Sequence, residues 1–172
     1  MQHKIVIANS KEAFSGKSTS IRYVFEILSQ RYSHHVLAPD SNYDPQQDVA
    51  AIINIPQSDG HIVKVGIESL GDPGYKRPKE SIDKFVSAGC EIILVACRSK
   101  GRTVQYITNL RNAGWQIIWW DNSTMKVDGA NHSNTTPPLL TQDAQLQERL
   151  SRDYAFYVAS LIERLVLTEG II

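Results

Sequence analysis

Residues 4–25 read KIVIANSKEAFSGKSTSIRYVF, and the fold turns on how that stretch divides. Its first part, KIVIA (4–8), is a short apolar and largely β-branched run, the pattern of a strand buried on both faces. Its last part begins a series, Ile21, Val24, Phe25 and Leu28, spaced i, i+3, i+4, i+7, which predicts a helix from Lys17 to about Gln30. The connection between them ends in Gly16-Lys17-Ser18-Thr19. A buried strand feeding directly into a helix is the first half of a βαβ unit, so a parallel sheet is expected.

The rest of the chain repeats that alternation. HHVLAP (34–39) reads as a second strand. DVAAIINI (48–55) and HIVKVGIES (61–69) read as two strands joined by a tight turn containing Asp59-Gly60. RPKESIDKFVSAG (77–89) is a helix with Pro78 in its first turn and Gly89 beyond its end. EIILVAC (91–97) is the most apolar strand, RTVQYITNLRNAG (102–114) a helix closed by glycine, and WQIIWW (115–120) a further strand. Trp115, Trp119 and Trp120 are expected to pack in the core and against helices. Residues 121–140, DNSTMKVDGANHSNTTPPLL, lack periodicity and read as a long loop or lid. A last helix over 142–167 is expected to bury a face made of Leu146, Leu150, Tyr154, Val158, Leu161 and Leu165.

This pattern specifies one α/β domain over residues 1–172: a three-layer sandwich around a mainly parallel sheet, with the 48–67 hairpin adding one antiparallel strand at an edge. In such sheets ligands bind outside the carboxyl ends of the strands. The loops after residues 8, 39, 67, 97 and 120 should therefore share one rim.

Composition narrows the function. The chain has 172 residues, 42% hydrophobic, with 18 basic against 18 acidic side chains. Such a balance provides no net attraction to nucleic acid, and no apolar run approaches the roughly 20 residues that span a bilayer. Cys90 and Cys97 bracket a buried strand and read as reduced core thiols of a cytoplasmic protein. No zinc-binding spacing is present, and His34-His35 has no ligand partner nearby in sequence.

Chemistry is concentrated at the rim. Lys11, Glu12, Ala13, Phe14, Ser15, Gly16, Lys17, Ser18 and Thr19 fit a phosphate-binding loop of form G-x-x-x-x-G-K-[ST], with Lys11 at the position of the first glycine. In such a loop the backbone N–H groups and the helix N-terminus surround phosphate, the lysine adds charge, and the Ser18 hydroxyl ligates Mg²⁺. Glu68 and Gly71, in VKVGIESLGD (63–72), supply an acidic group at a strand end and a glycine three residues on. Asp40 and Asp44, in VLAPDSNYDPQQD, are placed for a metal or for an attacking water or hydroxyl, or else form an ordinary turn. Arg98, Lys100 and Arg102 follow the most apolar strand and suit a transferring phosphate or a base, unless they are merely solvated. Asp121 and Asn122 are a further candidate for base recognition.

Residues 4–28 with 62–72 resemble the P-loop NTPase superfamily. The E-S-L-G run looks like its D-x-x-G switch, in which the acidic residue serves Mg²⁺ and the glycine reports the γ-phosphate. The resemblance implies ATP and Mg²⁺ as cofactors, with Lys17, Asp40, Asp44 and Glu68 in catalytic roles and Ser18, Glu68 and Asp40 near the metal. ATP is preferred to GTP because no N-K-x-D run follows a late strand. Some likeness extends to partitioning-type ATPases, whose signature lysine is Glu12 here, and to small P-loop kinases. The expectation is an Mg-dependent ATPase with a nucleotide-driven switch, with a small-molecule or nucleotide kinase and a non-catalytic nucleotide- or partner-binding domain as the alternatives. A protein partner or a homodimer is compatible with each.

Overall fold

In the computed structural model the described residues are 4–10, 17–37, 48–70, 76–97, 100–120 and 142–168. Among them six strands and four α-helices follow in the order β1 (Ile5–Ser10), α1 (Lys17–Arg31), β2 (Ser33–Val36), β3 (Ala50–Pro56), β4 (Ile62–Glu68), α2 (Lys76–Ser87), β5 (Ile92–Cys97), α3 (Arg102–Asn109), β6 (Gln116–Trp120) and α4 (Gln142–Leu167). They form one sheet in the order β2-β3-β4-β5-β1-β6. The pairs β4–β5, β5–β1 and β1–β6 are parallel. Strand β3 is antiparallel to both of its neighbours.

The inverted strand therefore lies inside the sheet, not at its edge as the sequence suggested. The short β2 pairs outside it and restores the common direction. The reason is visible in β3 itself: AAIIN is covered on both faces, whereas every residue of β2 is exposed. An exposed four-residue strand suits an edge better than a buried apolar one. The turn between β3 and β4 forms as expected, with His61 N–H donating to Asp59 Oδ1 at 2.8 Å and Gly60 at φ 88°.

Helices cover both faces. Ile5 and Ile7 of β1, Val65 and Ile67 of β4, and Ile92 and Leu94 of β5 face α1 and α4. Val6, Ala8, Ile93 and Val95 face Ile82 and Phe85 of α2 and Ile107 of α3. β5 is buried along its whole length, which explains its continuous apolar run. Gly66 is required on the second face, because a Cβ there would enter the Phe85 ring.

Two sequence expectations about packing are corrected. The buried face of α4 is Ala155, Val158, Ala159, Ile162 and Val166, while Leu146 is exposed and Leu161 and Leu165 flank the core. Small residues bring the helix close to α1, and the longer leucines fit at the margins of that contact. Among the tryptophans, Trp115 is buried and Trp120 packs on Tyr154, but Trp119 is exposed on edge strand β6. Polar clamps join α1 to α4: Tyr23 donates to Glu148 at 2.8 Å, and Glu163 accepts from Arg31 at 2.8 Å and from Tyr32 at 3.0 Å.

Candidate functional site at the carboxyl ends of the strands

The strand directions give the site its address. β1, β2, β4, β5 and β6 all point the same way, so their carboxyl ends form one rim, as the sequence indicated. Strand β1 sits between β5 and β6 and runs to Ser10, and α1 starts at Lys17. Lys17, Ser18 and Thr19 thus fall at the amino end of a helix that follows an interior strand. Ser18 and Thr19 are half-buried in the first turn and Ser20 is buried. The first-turn N–H groups of such a helix lack intrahelical partners and carry the positive end of its dipole.

A second cluster lies at the end of β4. Glu68 is fully buried and faces α2. Its Oε2 accepts a short hydrogen bond from the Ser81 hydroxyl, and its Oε1 accepts from the Leu70 N–H at 2.8 Å. Arg77 on the first turn of α2 stands 3.5 Å from Glu68 Oε1 and 3.6 Å from Asp48 Oδ2. Ser69 then closes the ladder, accepting from Val49 N–H through its side chain at 2.7 Å. Burial pushes the Glu68 carboxyl up to about 7, against the opposing pull of the Ser81 hydrogen bond, the Arg77 charge and the Leu70 N–H. A buried carboxyl balanced near neutrality can exchange a proton at physiological pH.

The register relates the two clusters. Ala8, Val95 and Glu68 lie in one row across β1, β5 and β4. Two strand spacings, roughly 9.5 Å, therefore separate the β1 and β4 backbones at that level. Asn9, one residue on, faces the α1 side by alternation with Ile5 and Ile7, whereas Glu68 faces α2. Thus the amino end of α1 and the Glu68 carboxyl share a rim but flank opposite faces of β5.

The other sequence candidates divide simply. Arg102 is the first residue of α3 and, like Lys100, is exposed on the β5 side of the rim. Lys11, Glu12, Ala13, Phe14, Ser15, Gly16, Asp40, Asp44, Gly71, Arg98, Asp121 and Asn122 lie outside the described residues, as does the Lys17 side chain.

Sequence reasoning passed over Arg77, Ser81, Asp48 and Asn9. Ser81 carried a signal, since it occupies the buried stripe of α2 with Pro78, Ile82 and Phe85. Asn9 carried one too: it continues the Ile5, Ile7 alternation into a polar residue. Ending the strand at Ala8 concealed it.

Comparison of the chain with family models, with curated proteins and with solved structures finds no match.

Proposed function

We propose that this chain is an ATP-binding P-loop protein, an Mg-dependent ATPase whose nucleotide state drives a conformational switch. The observation that carries the reading is the position of Lys17, Ser18 and Thr19: they open α1, the first helix after interior strand β1, whose carboxyl end lies on the common rim of a largely parallel sheet. Strand, loop and helix N-terminus in that order are what a phosphate cradle requires.

The residues present fit the cofactors. Ser18 offers a hydroxyl at the helix start, and Glu68 and Asp48 are hard oxygen donors at the neighbouring strand ends, the type that Mg²⁺ prefers. Both Glu68 oxygens already have protein partners on the α2 side, so Ser18 is the side chain that would hold the ion. Bound Mg²⁺ would neutralise charge on the β- and γ-phosphates.

The chain's own residues do the rest. Lys17 and the first-turn N–H groups bind the phosphates. Glu68, closed in between β4 and α2, ties the rim to that helix through Ser81 and Arg77, and its carboxyl, balanced near neutral pH, responds to charge placed at the rim. Ser81 and Arg77 join Glu68 to α2, so a change at Glu68 is transmitted to that helix.

A turnover assay tests the reading. ADP release from protein and Mg·ATP alone, abolished in Lys17→Ala, is the expected result. Release only when an acceptor alcohol or nucleotide is added indicates a phosphotransferase instead. Absence of any ATP-dependent rise in melting temperature at millimolar ATP with Mg²⁺ overturns nucleotide binding altogether.

A further inference from the structure

Asn9 is fully buried, and among the described residues neither its Oδ1 nor its Nδ2 has a hydrogen-bond partner. Native chains rarely tolerate this, because a buried amide gives up its water without recovering the bonds. Its neighbours in the sheet offer nothing: Ala96 of β5 and Trp120 of β6 are its register partners, and Ile7 precedes it on the same face. An apolar residue would suit such surroundings better.

The position of that amide limits what can satisfy it. Asn9 lies at the carboxyl end of β1 and faces the side on which α1 packs. α1 is a 15-residue helix beginning at Lys17, with no acidic side chain in its first turn to occupy the positive end of its dipole. A carboxamide without a partner among the described residues and an unneutralised helix start therefore lie on the same side of the sheet, with residues 11–16 between the end of β1 and the start of α1. A group that answers both must be anionic and rich in acceptor oxygens. A phosphate oxyanion meets that description, and water carried with it can donate to Oδ1.

We propose that Asn9 is a ligand-contacting residue of the phosphate site, its Nδ2 donating to a phosphate oxygen of the bound nucleotide and its Oδ1 accepting from a water held there. This inference rests on the phosphate-loop reading and adds a contact outside the G-x-x-x-x-G-K-[ST] run. It also explains the amide's retention in an apolar strand: the side chain is unsatisfied in the free protein and satisfied in the complex.

The test uses the full chain and the apolar Asn9→Val, with Mg·ATP as the probe. Because no internal partner is lost, the free variant is expected to melt at or above the wild-type temperature. Losing a hydrogen bond to a charged group is expected to weaken ATP binding about 10- to 100-fold by titration calorimetry. A lower melting temperature, or failure to fold, would show that the amide has a partner within the protein and would overturn the inference. So would unchanged ATP affinity in a variant that folds. In the wild type, the ¹⁵N-labelled Asn9 side-chain amide should shift on adding Mg·ATP, and a resonance that stays in place overturns the contact without any variant. Lys17→Ala separates the two levels: if wild-type binding is lost in Lys17→Ala but unaffected in Asn9→Val, the phosphate site stands and only the Asn9 contact fails. If wild-type protein binds no ATP, both fail together.

Discussion

The Ser81 hydroxyl of α2 donates a hydrogen bond to the Glu68 carboxylate at the end of β4, and both residues are buried. The bond crosses a helix–sheet interface otherwise made of Ile82, Phe85 and the sheet's apolar residues. It ties the position of α2 to the ionisation of Glu68. Ser81→Ala should remove one of the interactions that hold the Glu68 carboxyl down, raising it further above the ordinary carboxylate range. An unsatisfied buried carboxylate oxygen costs about 1–3 kcal/mol. Urea unfolding at pH 8, where the charged form prevails, should show a loss of that size, and at pH 5 a smaller one. Equal losses at the two pH values would mean that Ser81 serves packing only.

Glu68 itself makes stability depend on pH. Its folded value of about 7 lies above the ordinary 4.5, so the folded chain binds more protons than the unfolded one between these limits. The contribution is fully present below about pH 4.5 and is lost as pH rises through 7. A shift of that size corresponds to roughly 3 kcal/mol. Glu68→Gln should flatten the melting-temperature profile between pH 5 and 8 and raise stability at pH 8 relative to wild type. Parallel profiles for the two proteins would exclude Glu68 as the titrating group.

Cys90 provides a probe of opening. Its thiol is buried beside the α2–β5 junction, and burial pushes it up to about 12. Thiolate is the reactive form, so the native chain should resist a thiol reagent at pH 8. In a Cys97→Ala background, Cys90 labelling should follow the unfolding equilibrium in urea. Rapid stoichiometric labelling of native protein would contradict the burial.

The architecture was legible in the sequence because its strands advertise themselves. β5 is apolar at every position, and Asp59-Gly60 fixes the β3–β4 turn. Strand order was not legible, because the same apolar run serves at an edge or inside, and only the exposure of all of β2 decides where β3 lies. The rotation of α4 was misread for a related reason. Leucines outweigh alanines in a hydrophobic pattern, yet Ala155 and Ala159 make the close approach. At the site, Glu68 was legible from its place at a strand end. Arg77 and Ser81 were not, since their role depends on the contact that α2 makes after the chain has turned back.

Gly66 tests the packing that supports this cluster. It lies in β4 two residues before Glu68, and its missing side chain leaves the room that the Phe85 ring occupies. Phe85 is on α2, one turn beyond Ser81, so the depth of that ring sets how closely Ser81 approaches the carboxylate. Gly66→Ala gains the usual preference of a strand for alanine over glycine, worth under about 1 kcal/mol. It also drives a methyl group into a rigid ring with no free volume, a cost of about 1–3 kcal/mol. The clash should win, with a net loss of roughly 1–2 kcal/mol in urea unfolding. Phe85→Leu alone should also destabilise, by leaving a cavity. The double variant Gly66→Ala/Phe85→Leu should be more stable than the sum of the two losses implies, because the added methyl occupies part of the space the ring vacated. Strict additivity would mean that Gly66 and Phe85 do not share that space. If turnover falls in Gly66→Ala and recovers in the double variant, the α2–β4 distance governs Glu68 as well as the fold.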